Sequence, residues 1–259
     1  MDKKLHELIN NKRVAIVGPA EYVCKELEDS HGNLIDSYDL VIRLSDMFYV
    51  PTDLEKFYGS KYDIISSSFW TRVNEDYEDK DTAWKKLRYC NEEDYKNLNE
   101  KTILLECFAR NEFSIIYNKF SKTIDQQKLV HGNISSQLFQ HVFNLLRNIH
   151  PIDKTPTTGF STIGIVLSMA PKELYVTGVT AYQETPYKTH FDGYSRFNDD
   201  DKRFWPKNGY NGKTYNDNNG KENPNVHHNF QGEAQIMKKL IESNIIKVDK
   251  YMSTLFKHI

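Results

Sequence analysis

Two short stretches carry residue types that can do chemistry: Pro156-Thr157-Thr158-Gly159-Phe160-Ser161-Thr162, and His227-His228-Asn229-Phe230-Gln231-Gly232-Glu233. The first reads as a small-residue turn opening an apolar helix. N–H groups at a helix N-terminus point outward, and the helix dipole favours an anion there. Thr157 and Thr158 add hydroxyls, and Gly159 removes a side chain that would block a ligand. Without a ligand the same pattern is a threonine N-cap. The second stretch sets His228 at the mouth of another helix. Phe230, Ala234, Met237 and Ile241 fall at i, i+4, i+7 and i+11, so that helix begins near Asn229. A neutral histidine there can take a proton from an acceptor hydroxyl. His227 stands beside it, and Glu233 either orients a histidine or caps backbone; the plain alternative is a surface histidine pair before a helix. A phosphate cradle with a histidine base suits group transfer from a nucleotide-linked donor. A zinc site needs three or four ligands and the spacing is not HExxH, so no metal is expected.

These residues need a scaffold, and the chain reads as alternating strands and helices. Apolar runs predict strands over Arg13 to Gly18, Tyr38 to Leu44, Tyr62 to Ser66, Thr102 to Cys107, Glu173 to Val179 and Ile245 to Tyr251. Helical patterns fall between them: Asp81 to Glu100 with Trp84, Leu87 and Tyr95, Ser136 to Ile149, and Thr158 to Ala170. Strands alternating with helices indicate a mainly parallel sheet covered on both sides, one α/β domain over residues 1–259. Gln183 to Val226 differs: it is rich in Asn, Asp, Gly, Lys and aromatics and nearly lacks aliphatics, as a lid or acceptor loop would.

Composition narrows the function. The 259 residues carry a formal net charge of −2, which argues against a general nucleic-acid binder. The three cysteines, Cys24, Cys90 and Cys107, form no CxxC pair, so no zinc site or disulfide framework follows, and a reducing compartment is the simplest reading. No long apolar run opens the chain, so no signal peptide or transmembrane helix is expected in it. The Lys-, Asn- and Tyr-rich composition points to a bacterial or large viral source and a cytoplasmic or membrane-peripheral protein, unless a Golgi-type anchor has been cut away.

Three further motifs lie at expected strand ends. Gly18 closes the first strand and lets backbone approach a ligand, but Pro19, Ala20 and Glu21 follow, so the GxGxxG dinucleotide fingerprint is absent. Arg43 and Ser45 end the second strand, where open α/β sheets bind ligands; Arg43 could equally pair with a carboxylate inside the protein. Tyr187 and His190 follow the strand ending at Val179 and could donate to a leaving phosphate.

Together, the order and spacing resemble the sialyltransferase superfamily. Val14 to Ser45 looks like the large sialylmotif, above all Ile35-Asp36-Ser37, Asp39, Val41 and Arg43. Pro156 to Val179 resembles the small sialylmotif, with Thr177-Gly178-Val179 at its strand end. His190-Phe191-Asp192 resembles the third motif, and His228 to Glu233 the very small one, His-x4-Glu. The stretch Gly178 to Asp192 is also similar to the compact bacterial sialyltransferases. The resemblance implies a Rossmann-like GT-A-type domain and an inverting, metal-independent transfer of a 2-keto sugar acid, sialic acid or Kdo, from a CMP-linked donor to a glycan or glycolipid. No separate cofactor is implied. Carried over by position, Gly18, Ala20, Arg43, Ser45, Thr157, Thr158, Gly159, Gly178 and Tyr187 meet the donor. His190 helps the phosphate leave, and His228 is the base. Pro19 and Ser45 stand where the family has Asn, and the cysteines that link the large and small motifs in animal members are absent. A non-catalytic nucleotide-sugar binder and another Rossmann-like transferase are the alternative readings.

Overall fold

Five apolar runs become strands of one sheet in the computed structural model, which describes residues 1–45, 47, 50–67, 98, 101–108, 130–183, 185–188, 190 and 228–259. They are β1 (Arg13–Val17), β2 (Leu40–Leu44), β3 (Ile64–Ser67), β4 (Ile103–Glu106) and β6 (Glu173–Thr177). Val14 to Val17, Val41 to Leu44, Ile64 to Ser67 and Ile103 to Glu106 are all buried. Burial on both faces explains why these strands read as continuous rather than alternating apolar runs. Two short strands complete the sheet, β5 (Val130–Asn133) and β7 (Lys247–Val248).

The strand order is β5-β4-β3-β2-β1-β6-β7, and each neighbouring pair runs parallel. The chain therefore steps outward from β1 to β5, then returns to the other side of β1 for β6 and β7. That reversal makes the boundary of β1 and β6 a topological switch point, where open parallel sheets form a ligand crevice beyond their C-terminal ends. The architecture is a Rossmann-like α/β sheet flanked by helices.

Short helices α1 (Asp2–Ile9), α2 (Tyr22–Glu26), α3 (His31–Asp36) and α4 (Glu55–Tyr58) accompany the first half of the sheet. Longer ones follow: α5 (Ser136–Ile149), α6 (Thr158–Ser168), α7 (Phe230–Glu242) and the final α8 (Lys250–Lys257). The Ser135 hydroxyl caps α5 by accepting from the Leu138 N–H at 3.0 Å. Helix α6 buries Phe160 through Val166, as its apolar sequence predicts. Gly164 lets it close on α5, because a Cβ there would lie 2.5 Å from Val142 Cγ1.

The expected strand Ile245 to Tyr251 is corrected: only Lys247–Val248 pair with β6. Asp249 then caps α8, its carboxylate accepting the Met252 N–H at 2.8 Å, and the chain turns helical at Lys250. The expected helix Asp81 to Glu100 lies outside the described residues except at Leu98. So does the expected lid, apart from Gln183, Thr185 to Lys188 and His190. Among the described residues, no helix is long and apolar enough to cross a membrane.

Candidate functional site

The floor of the crevice is bare backbone. Gly18 donates its N–H to the Thr177 carbonyl at 2.8 Å, and Ala20 to the Gly178 carbonyl at 3.3 Å. A Cβ on Gly18 would lie 2.1 Å from Gly178 O, and one on Gly178 would lie 2.1 Å from Gly18 O. Gly178 also has φ +72°, a conformation that penalises any side chain. Both glycines are therefore required by each other's closeness.

A buried network fixes that floor. The Gly178 N–H donates to the Tyr22 hydroxyl at 2.7 Å, and Tyr22 donates to Asp249 Oδ2 at 2.7 Å. The Thr177 hydroxyl donates to the same oxygen at 2.7 Å. Burial first, and Asp249 second, hold the Tyr22 hydroxyl protonated far above its ordinary range. Tyr22 and Asp249 were not legible as site residues. Asp249 fell inside the expected strand Ile245 to Tyr251, so neither its capping of α8 nor its second oxygen's role was readable.

One wall is the mouth of α6. Gly159 packs its start tightly onto the strand ends, since a Cβ would lie 3.3 Å from Val179 Cγ1 and 3.6 Å from Leu44 Cδ1. Thr157 occupies the N-cap position, yet its side chain accepts no hydrogen bond from its own helix. Its N–H donates instead to Glu233 Oε1 at 2.6 Å, and its hydroxyl to Glu233 Oε2 at 2.8 Å. The first-turn N–H groups of Thr158, Gly159 and Phe160 lie outside the helix's own ladder and are not taken by the cap. Burial pushes the pKa of the nearby Cys107 thiol up to about 12. Thr162 donates to the Thr158 carbonyl at 2.8 Å and so accepts from Ser66 at 2.7 Å. Ser161 Oγ, in the same turn, is buried and has no hydrogen-bond partner among the described residues.

The other wall is the mouth of α7. His228 Nδ1 lies 2.8 Å from the Thr155 carbonyl. A carbonyl only accepts, so Nδ1 carries a proton, and in a neutral ring of this tautomer the lone pair is on Nε2. Asn229 accepts the Gly232 N–H at 2.8 Å and donates to Asp153 Oδ1 at 3.1 Å. The Phe230 ring lies tilted against His228 and Tyr182, at centroid distances of 5.9 and 4.7 Å. Glu233 is 1 % exposed, and burial raises its pKa to about 8 against the opposing pull of the Thr157 hydrogen bonds. Of the two roles expected for Glu233, the structure shows backbone and hydroxyl capping of Thr157; the Thr155 carbonyl orients the histidine. Three ties, Asp153–Asn229, Thr155–His228 and Thr157–Glu233, thus hold the two mouths in one frame.

No family model matches the chain, and no curated protein matches it. Among solved structures it is similar to a mammalian sialyltransferase. The TM-score is 0.50 at 15 % identity, over 96 % of this chain and 77 % of that one. This is a sialyltransferase-like fold.

Within the sialyltransferase-like fold, the expected site residues divide. Gly18, Gly178, Thr157, Thr158, Gly159, His228 and Glu233 belong to the floor and the two walls. Ser45 directly follows β2 with φ +56° and donates its N–H to the Ser66 carbonyl at 2.7 Å. Arg43 is corrected: its side chain is fully buried, and among the described residues it hydrogen-bonds carbonyls rather than a carboxylate. It donates to the carbonyls of Tyr58 at 2.6 Å, Gly59 at 2.9 Å and Lys61 at 2.7 and 3.1 Å, stapling β2 to the turn after α4. Burial lowers its pKa to about 10. Ala20 is similarly spent, its carbonyl accepting from the Tyr58 hydroxyl at 2.9 Å.

Residues 185–188 lie against the start of α2. Glu21 donates its N–H to the Lys188 carbonyl at 3.1 Å, and its carboxylate accepts the Lys188 N–H at 2.8 Å. The Tyr187 ring meets Tyr251 edge-on at 5.7 Å, and its hydroxyl donates to Glu26. That bond, ahead of burial and charge, pushes the Tyr187 pKa up to about 12. His190 is half-buried beyond this segment. His227, Phe191 and Asp192 lie outside the described residues. Among the described residues, no three His, Cys, Asp or Glu side chains group as a metal site would require.

Proposed function

We propose that this chain transfers a 2-keto sugar acid from a CMP-linked donor to a hydroxyl of a glycan or glycolipid, with inversion and without a metal. Sialic acid is the first choice of sugar and Kdo the second. The observation that carries the reading is the His228 tautomer. The Thr155 carbonyl fixes Nε2 as the basic nitrogen, and the ties to Asp153 and Thr157 set it beside the mouth of α6.

His228 Nε2 takes the proton of the acceptor hydroxyl. The acceptor oxygen bonds to the anomeric carbon as the bond from that carbon to the CMP phosphate oxygen breaks. The electron pair leaves with the phosphate, which meets the first-turn N–H groups of α6 and the positive end of its dipole. His190 and Tyr187 lie on the segment that would complete the phosphate's surroundings. Tyr187 must exchange its Glu26 bond to do so. The proton ends on His228, and no covalent intermediate is formed.

His228→Ala should lower transfer by about 10²–10⁴-fold while CMP still binds, because a general base acts on the acceptor and not on the nucleotide. Steady-state CMP release alongside CMP titration separates the two. Transfer at the wild-type rate in that variant would remove His228 from the base role.

A further inference from the structure

Glu233 is a fully buried carboxyl with hydrogen bonds to one residue, Thr157. No cation is paired with it among the described residues. Five charged or titratable side chains on the elements around it have other partners. Asp153 bonds Asn229, His228 bonds the Thr155 carbonyl, and Asp249 bonds Tyr22 and Thr177. Lys239 donates to the Ile149 carbonyl, and Arg147 lies over the Phe143 ring. Burial without a counter-charge favours the neutral acid.

The two protonation states give Thr157 different faces. An ionised carboxylate only accepts, so it takes both the Thr157 N–H and the Thr157 O–H. The threonine then presents oxygen lone pairs to the crevice, which repel an anion. A neutral carboxyl keeps one oxygen as acceptor for the N–H and uses its own O–H as donor to Thr157 Oγ1. The threonine proton is then released to point outward. The 2.8 Å separation of Thr157 Oγ1 and Glu233 Oε2 suits a proton donated from either side, and the N–H bond to Oε1 at 2.6 Å is common to both arrangements.

We propose that Glu233 is a positioning residue that sets the polarity of the donor cradle: the neutral acid frees the Thr157 hydroxyl to donate to an anionic ligand at the mouth of α6, and the ionised acid draws that hydroxyl back. The inference deepens the donor reading above and rests on it for the identity of the ligand. Its protonation half stands on Glu233 and Thr157 alone. The change falls in a working range, since burial places the Glu233 pKa near 8.

Glu233→Gln copies the neutral acid: its amide oxygen accepts the Thr157 N–H, and its amide nitrogen donates to Thr157 Oγ1. The test uses the full chain, wild type and E233Q, from pH 6 to about pH 9, over which a group of this pKa changes charge. CMP affinity and melting temperature are read for each protein. Wild-type affinity should fall about tenfold as Glu233 ionises, the usual effect of losing a hydrogen bond to a charged group, while E233Q holds. The two proteins differ only at residue 233, so the difference between their profiles isolates Glu233. Thr157→Val should bind weakly and lose the wild-type step. Melting gives a readout without ligand. The native state holds a proton that the unfolded chain releases above its ordinary carboxylate pKa, so wild-type stability should decline toward pH 8 relative to E233Q. Identical pH profiles of affinity and melting in the two proteins would overturn the proposal. Parallel affinity profiles with divergent melting would also overturn it, because the carboxyl would titrate without setting the cradle. If CMP binds neither protein at any pH, affinity for inorganic phosphate is read instead. A wild-type step that E233Q lacks then supports the switch while the CMP reading fails. A shared profile overturns the switch.

Discussion

The two helix mouths that face each other across the crevice are capped in opposite ways. At α7 the cap is local: Asn229 accepts the N–H of Gly232, three residues on. At α6 the residue in the cap position gives its hydroxyl to a carboxyl 76 positions away. The local cap closes its own helix and asks nothing of the rest of the fold. The borrowed one leaves the first-turn N–H groups of α6 without their usual side-chain acceptor, and it makes that mouth depend on α7. The first arrangement suits a wall that must hold a base still. The second suits a wall that must offer donors to an anion.

The largest change should come from breaking the floor that both walls share. Gly178→Ala forces a Cβ to within 2.1 Å of Gly18 O at φ +72°. A loss of about 3 kcal/mol is expected, the range of a strained backbone with a clash added. Urea unfolding checks it, and a loss under about 1 kcal/mol would mean the two strand ends separate easily. Next is the borrowed cap. Glu233→Ala strands a buried N–H and should cost about 1–3 kcal/mol while also weakening CMP binding. The smallest effect belongs to the local cap: Asn229→Ala should cost about 1 kcal/mol, in line with other asparagine caps. Its effect on CMP binding should be the lesser of the two. If Asn229→Ala weakens CMP more than Glu233→Ala does, the contrast between the mouths is wrong.

The same contrast explains what the sequence made legible. Strands buried on both faces announce themselves, and β1 to β4 and β6 fall within a few residues of their apolar runs. Strand β5 does not, because its sequence is Val-His-Gly-Asn and it pairs at the sheet edge, where Gly132 meets the Met1 side chain. The last strand was overextended because Asp249 ends it as a helix cap. The α7 cap is readable from Asn229 itself. The Thr157–Glu233 bond is not, since neither residue type nor spacing names its partner. A carbonyl carries no sequence signal at all. Hence the orientation of His228 by Thr155, and the burial of Arg43 among three carbonyls, had to come from the structure.

The central claim, a metal-independent CMP-linked donor at the mouth of α6, is tested most directly by ligand-induced melting shifts with CMP, CDP, UDP, GDP, NAD and S-adenosylmethionine, each with and without EDTA. A ligand at a hundred times its dissociation constant stabilises by about 2.7 kcal/mol, which a melting curve resolves. A shift with CMP, unchanged by EDTA and absent with the purine and uridine nucleotides, is the expected result. A shift with another nucleotide instead, or one that EDTA abolishes, would contradict it.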